Sequence, residues 1–536
     1  MLDISMSKAQ YIIGEAIKIH INASPDARIA VTVRHLADAP IPYQEGMLPP
    51  AVGGYGVDAV IDGVVISTAF DVVADRRERI RYGFLSDFAK EDEDDGADIA
   101  WLIKAHLNAV QFYDWMYRHD TLLPPTPEYD DPLGRILSYS AIRAKIEGCL
   151  TGGMVPMAYG AIYAASNDFW QKRRDWGLFR RDGQPMSFGG WLYFMDIRRG
   201  SPWRGHILSE FAKAGKKAGF RGIHMDTYGF PKNAHDAEGA PIDLAVEFPS
   251  LIAEAKEGLL AVHDDAAIIF NCVGNWPTEA VAQSRVDAVY IEVWPPYERY
   301  THLLALIRGA LTYGGKKPVI LAAYMSPFKT AESDADVAMA ENALLLAYSV
   351  IHASGGTQLV FGENACVLCD PYYVEHKALR PDFLPVLQAY LDHTVRMAEL
   401  LDARAVEYIT GEFTGGINTE IIFSGANCHP FPEAGTVWTA VGRSDGRYIL
   451  QLVNLTGLEH DFWNRPQGRP DVTDEIGVEA LVDHQIKGVY MASPDAYGGR
   501  PQSLSYAVKD SERGQVLCFS IASVALWSTV WIEFEP

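Results

Sequence analysis

Long apolar runs are missing from this 536-residue chain. No stretch reaches the ~18 apolar residues of a membrane-spanning helix, so no membrane partner is expected. Positive charge is in short supply. Lys and Arg total 46 against 69 Asp and Glu, a net charge of −23. That sign argues against nucleic acid and anionic lipid, which both select basic patches. Cysteine is scarce, at six residues, too few for a disulfide framework. Cys366-Val-Leu-Cys369 has the spacing of a metal or redox pair, but no second pair completes a zinc set. No glycine-rich nucleotide fingerprint follows any strand-like run. No low-complexity tract appears, and the short acidic run 91–95 reads as solvated loop. No cofactor and no metal are expected. Residues 1–11 lack the basic-then-apolar pattern of a secretion leader. The expectation is a cytoplasmic protein, or a secreted one if a leader has been removed. The sequence leaves the oligomeric state open.

What is present is an ordinary globular balance, 48% hydrophobic and 21% charged, with length for about two to four domains. Residues 1–80 read as β. Ile17-Lys-Ile-His-Ile-Asn22 and Arg28-Ile-Ala-Val-Thr-Val-Arg34 alternate apolar and polar, and Val64-Val-Ile-Ser-Thr-Ala-Phe70 adds a further strand. An N-terminal immunoglobulin-like β-sandwich is expected there. From 81 to 412 strands alternate with helices. Eight strand candidates fall at 81–85, 109–112, 155–159, 222–225, 267–271, 288–291, 318–323 and 358–361. Helical spacing fills 206–218, 242–259 and 336–352. This multidomain α/β pattern predicts a central (β/α)8 barrel. Residues 413–536 return to alternation, as in Arg447-Tyr-Ile-Leu-Gln-Leu-Val453, and predict a C-terminal β-sandwich.

In such a barrel the functional groups collect where the strands end. Strand four ends on Asp226 and strand six on Glu292. A single acid at a strand end is as consistent with a cap or a solvated loop. Two of them aimed into one pocket, among aromatics, are what glycoside hydrolysis requires. One carboxyl protonates the departing oxygen, and the other attacks or stabilises the oxocarbenium-like sugar. The other strand tips carry sugar-binding residue types: Tyr113, Asp114 and Trp115 after strand two, and Tyr159 on strand three. Asn271 and Trp276 follow at strand five, Trp294 at strand six, Tyr324 at strand seven, and Glu363 and Asn364 at strand eight. His224 shares a face with Asp226 and is as readily a packed histidine as a substrate contact. Trp115 and Trp276 are equally suited to closing the barrel top. Asp114, Asp196 and Glu363 are rival carboxylates. A metal group of His224, Asp226, His235 and Asp236 is conceivable, but the spacing of a known metal motif is absent.

These residues also carry a resemblance. His106-Leu-Asn-Ala-Val-Gln-Phe-Tyr-Asp-Trp-Met-Tyr-Arg-His119, Pro156-Met-Ala-Tyr-Gly-Ala-Ile-Tyr-Ala164, Gly219-Phe-Arg-Gly-Ile-His-Met-Asp226 and Tyr290-Ile-Glu-Val-Trp-Pro295 resemble glycoside hydrolase family 66. So does Gly362-Glu-Asn364, followed by Cys369-Asp-Pro-Tyr-Tyr373. That family holds endo-dextranases and cycloisomaltooligosaccharide glucanotransferases, built as sandwich, barrel, sandwich. The resemblance implies that Asp226 is the nucleophile and Glu292 the acid/base. It implies retaining cleavage of α-1,6-glucosidic bonds in dextran or isomaltooligosaccharides, with such a glucan as the partner. Transglycosylation at the same site is the alternative, and a non-catalytic glucan-binding protein a more distant one. Cyclising members of the family resemble one another in an inserted carbohydrate-binding module, for which no loop here offers clear room.

Overall fold

The computed structural model describes residues 2–535. Its centre is one curled parallel sheet. The strands, in order, are Tyr82–Leu85, Ala109–Phe112, Val155–Ala161, Gly222–Asp226, Ala267–Val273, Ala288–Glu292, Val319–Ala322 and Thr357–Leu359. Each pairs with the next in parallel. The chain then runs on through Phe361–Gly362, where Gly362 pairs with Phe84 of strand one. The eight expected strands coincide with these within a residue or two. A helix follows every strand, from Gly96–Lys104 after strand one to Leu384–Arg396 after strand eight. Asp243 and Ser333 cap the helices Leu244–Leu260 and Asp334–Ala353, accepting from Ala245 N and Asp336 N.

The curl makes two cores. Tyr82, Phe84, Met157, Ile269 and Tyr290 pack inside it. Ile223, Met225, Phe270, Val289 and Ile291 pack between the sheet and the helices. Strand residues are buried on both sides, so they read as apolar runs rather than as alternation. The loops at the strand ends carry small sheets that the sequence did not announce. Glu128–Asp130 pairs with Ile136–Ser138 after strand two, and Ala164–Ser166, Ser187–Phe188 and Leu192–Phe194 form a sheet after strand three.

Before the central sheet lies a five-stranded one. Its longest hairpin joins Gly53–Ile61 to Val64–Val73 through Asp62 and Gly63, at φ 48° and 87°, the two left-handed residues that a tight hairpin asks for. This sheet docks on helix Leu384–Arg396. A Cβ on Gly54 would stand 2.3 Å from Val395 O, so only glycine permits the approach. A buried ion pair, Arg81 to Asp71 at 2.8 Å, ties the hairpin to the residue before strand one. After the helices, a seven-stranded and a four-stranded sheet face each other across Val437, Leu450, Val478, Leu517 and Val530. The pairing begins at Glu407–Tyr408, which joins Val437–Ser444. Trp438 and Trp527 turn the other way and join the core of the central unit. No helix among the described residues is long and apolar enough to cross a membrane.

Candidate active site

Strand four alternates. Ile223 and Met225 face the helices, and His224 and Asp226 face inward. Gly222 has no room for a side chain, because a Cβ there would meet Met157 Sδ at 2.2 Å. Strand six repeats the pattern, with Tyr290 and Glu292 inward. Asn271 sits on strand five between the two acids. Its Nδ2 donates to Asp226 Oδ1 at 2.7 Å and to Glu292 Oε2 at 3.1 Å. The two oxygens can stand no further apart than those bonds laid end to end, about 6 Å, on the retaining side of the divide between retaining and inverting pairs. Tyr159 Oη donates to Asp226 Oδ2 at 2.6 Å, and Tyr324 Oη to Glu292 Oε1 at 2.7 Å.

Both acids are buried, and burial raises both above the usual carboxylate range. Asp226 is pushed up to about 7, first by loss of solvent and then by the charge of Glu292. Tyr159 and Asn271 pull it back. For Glu292 the opposing donors are Tyr324, Asn271 and Trp294. Two buried like charges this close resist joint ionisation, so one proton is shared by the pair near neutral pH. The tyrosines stay neutral donors, Tyr159 because burial and the Asp226 charge hold its phenol far above its ordinary value.

The pair lines a cleft of about 390 Å³ that opens to solvent. Its lining runs from Gln111 to Tyr373, so neither flanking unit contributes to it. Of the substrate-contact candidates, Tyr113, Asp114, Tyr159, His224, Asn271, Trp294 and Tyr324 line it. His224 is neutral, held down to about 3 by burial, with Tyr82 Oη 3.1 Å from Nδ1. Asp114 is a third buried carboxyl, raised to about 7 by burial against the pull of Arg135. Two polar atoms are unused: Asn271 Oδ1, an acceptor, has no protein partner, and neither has His119 Nδ1, on a ring whose pKa burial holds down to about 4.

Four candidates lie outside the cleft. Trp115 is in the outer core and donates its indole N–H to Tyr159 O at 3.1 Å. Trp276 packs edge-on to Phe248 beneath the Lys232 ammonium. Glu363 accepts from Ser86 N at 3.0 Å and Ser86 Oγ at 2.6 Å. Asn364 is exposed, and its N–H donates to Asp98. The rival Asp196 is paired with Arg198 at 2.8 Å. Reading strand tips alone missed His119, Phe188, Trp191, Tyr228 and Tyr372, which complete the walls. Trp191 sits in the turn between Ser187–Phe188 and Leu192–Phe194 of the small sheet after strand three, where no periodicity marks it. Tyr372 and Tyr373 stood only inside a family motif.

Among the described residues, Glu363, Cys366 and His376 are the group close enough to share an ion. The donor set does not favour one. Glu363 is held by Ser86, His376 Nδ1 donates to Tyr373 O at 2.6 Å, and burial pushes the Cys366 thiol far from ionisation. Asp236 is drawn to Arg198 at 2.7 Å and joins no metal group with His224, Asp226 and His235.

A sequence profile of glycosyl hydrolase family 66 matches residues 6–531. The chain belongs to that family. Two cycloisomaltooligosaccharide glucanotransferases from Niallia circulans are similar to this family member. They are 23% and 22% identical over 614-residue alignments that take in 87% of this chain. The chain spans 63% and 62% of their length, less than two thirds. A crystal structure of a cycloisomaltooligosaccharide glucanotransferase from Paenibacillus sp., complexed with cycloisomaltoheptaose, gives a TM-score of 0.89 at 22% identity. It covers 99% of this chain and 100% of that one. At that identity the likeness speaks for a shared fold alone.

Proposed function

We propose that this family 66 member is a retaining glycosidase that cleaves α-1,6-glucosidic bonds inside dextran or isomaltooligosaccharides. The observation that carries the reading is the Asn271 amide shared between Asp226 and Glu292. Glu292 begins protonated and gives its proton to the departing glycosidic oxygen. Asp226 attacks the anomeric carbon as that bond breaks, forming a glycosyl ester. Glu292, now a carboxylate, takes a proton from water. The water oxygen displaces Asp226, and the configuration is restored. Asn271 keeps the two acids at one spacing through both steps. Its free Oδ1 is placed to accept from a sugar hydroxyl.

Internal cleavage is supported by the walls. Trp191, Trp294 and Tyr372 are exposed, and they come from the loops after strands three, six and eight. Stacking faces on several sides suit a chain that crosses the cleft rather than ends in it. Transfer to a sugar hydroxyl instead of water is the second reading, favoured by the glucanotransferase names of the relatives. We read the curled sheet as a (β/α)8 barrel over 81–412, with the sheets of 1–80 and 413–536 as flanking sandwiches.

The test is incubation with dextran, isomaltooligosaccharides, starch and pullulan. Products are separated by size and the first-formed anomer is read by NMR. Shortened or cyclised α-1,6 chains with an α first product are expected. Glucose alone from chain ends, activity confined to α-1,4 bonds, or a β first product would overturn the reading.

A further inference from the structure

An arm of the C-terminal unit leaves its sheet between Arg447–Asn454 and Ile476–Val482. It runs across the mouth of the central sheet and grips two loops there. Trp463 is buried, at 3% exposure. Its indole Nε1 donates to Tyr297 O at 2.8 Å and its backbone N–H to Glu298 O at 3.1 Å. Tyr300 N donates to Asp461 O at 2.9 Å, and Arg299 is ion-paired with Asp461. These contacts fix the loop after strand six, which leaves directly from Glu292 at the strand's end and carries Trp294. On the next loop, Ser326 Oγ donates to Asn464 O at 2.9 Å. That loop follows Tyr324, the phenol that hydrogen-bonds Glu292. Gln467, also buried, closes the arm on itself by donating to His460 O at 3.0 Å and Phe462 O at 3.1 Å. Asn454 pins its base, with Nδ2 bonded to Asp471 O at 2.7 Å and Val524 O at 3.0 Å.

We propose that this arm positions the acid/base. Trp463 and Asn464 hold the loops of Glu292 and Tyr324 together, so that Glu292 keeps both its place over the glycosidic oxygen and the donor that tunes its proton. Asp226 and its partners Tyr159 and Asn271 stand on strands three to five, which the arm does not grip. Loosening the arm therefore weakens proton donation and leaves nucleophilic attack intact. The inference rests on the reading of Glu292 as acid/base.

The experiment compares Trp463→Phe and Ser326→Ala with the full-length protein on two substrates. One is an isomaltooligosaccharide, whose sugar leaving group needs a proton. The other is an α-isomaltosyl fluoride, whose leaving group does not. Loss of placement by a fraction of an ångström predicts about a tenfold fall in kcat/KM, which reports formation of the glycosyl ester alone, on the oligosaccharide for Trp463→Phe. On the fluoride the fall in kcat/KM is expected within about twofold, because general-acid help is not needed in that step. The alkaline limb of the pH profile moves as well. Ser326→Ala, which removes one surface tether and no bulk, shows the same pattern more weakly and guards against simple misfolding. Equal falls on both substrates, or no fall in folded protein, overturn the arm's role. Glu292→Gln, run beside them, separates the two ideas. If it lowers kcat/KM on both substrates alike, the acid/base reading fails and the proposal falls with it. If it spares the fluoride while the arm variants spare both, only the arm proposal fails.

Discussion

Replacing Asn271 by Ala tests the centre of the site. The substitution removes one amide that donates to two carboxylates, at 2.7 Å to Asp226 and 3.1 Å to Glu292. A hydrogen bond to a charged group contributes about 1.5–3 kcal/mol, and about 1.4 kcal/mol corresponds to a tenfold change in an ionisation constant. The shorter bond serves Asp226, which on the proposed reading must be ionised for attack. Losing it raises the Asp226 pKa from an already elevated position by about one to two pH units. Glu292 loses the longer bond and rises by less. In a bell-shaped profile of kcat/KM, the acid limb reports ionisation of the nucleophile and the alkaline limb loss of the proton from the acid. The acid limb should therefore move up by about one to two pH units and the alkaline limb by less than about one, narrowing the bell from its acid side. At the optimum kcat/KM should fall by about tenfold to a hundredfold, the equivalent of one or two lost charge-assisted bonds. The assay is reducing-sugar release from an isomaltooligosaccharide, buffered from about pH 4 to 10 to span both limbs. A profile that keeps its limbs, or an acid limb that moves down, would refute the shared-amide argument.

Asp226→Ala should abolish turnover of oligosaccharide and fluoride alike, as progress curves over hours would show, since no leaving group replaces a missing nucleophile. Trp191→Ala and Tyr372→Ala should raise KM, by up to about tenfold for chains long enough to reach them and little for the shortest substrate. A KM that ignores chain length would dismiss the stacking walls. Asp226→Asn should stabilise the fold at about pH 8 and much less at about pH 4. Burial and Glu292 raise the folded pKa of Asp226 to about 7, so stability is greatest with the proton on and falls as pH rises from the unfolded value through the folded one. The gain at the higher pH should reach a few kcal/mol at most, since each tenfold weakening of the acid on folding corresponds to about 1.4 kcal/mol. Urea unfolding at the two pH values measures it, and a larger gain on the acid side would reverse the sign of the argument.

The eight central strands were legible because a strand buried on both faces is a short apolar run, and in Ile223–Asp226 and Val289–Glu292 the run stops at a carboxylate. Strand pairing also decides which tip residues meet, and there the order of residues along the chain is an incomplete guide. Glu363 follows strand eight as Asp226 ends strand four, yet Phe361 faces the outer helices and Glu363, two residues on, keeps to that side, near Asp98. A period of two makes one position the whole difference. Trp115 and Trp294 look alike as aromatics just past a tip. The left-handed turn at Asp114, φ 48°, reverses the chain and drops Trp115 into the outer core, whereas Trp294 stays exposed at the cleft. The wall residues Phe188 and Trp191 were illegible because a two-residue strand and the turn that follows it, inside a long connection, have no period to read. The arm at Trp463 was illegible for the same reason.

The net charge of the whole chain pointed away from anionic partners, and the cleft gives that sign a local meaning. Asp114, Asp226 and Glu292 line it, and no Lys or Arg does. Its two histidines are held neutral by burial. A phosphorylated or carboxylated sugar would meet three carboxyls and no cation there. A neutral sugar meets donors and acceptors without a charge penalty. The reacting state gains more than the resting one, because positive charge grows on the anomeric carbon as its bond to the leaving oxygen stretches. On the proposed reading, an ionised Asp226 facing that carbon, with no cation lining the cleft to compensate it, would stabilise the transition state in preference to the substrate. Burial, and then the charge of Glu292, raise the Asp226 pKa in the free protein. The strain that makes the pair hold its shared proton is thus released as the sugar becomes cationic, and this couples the ionisation of the site to the step it performs.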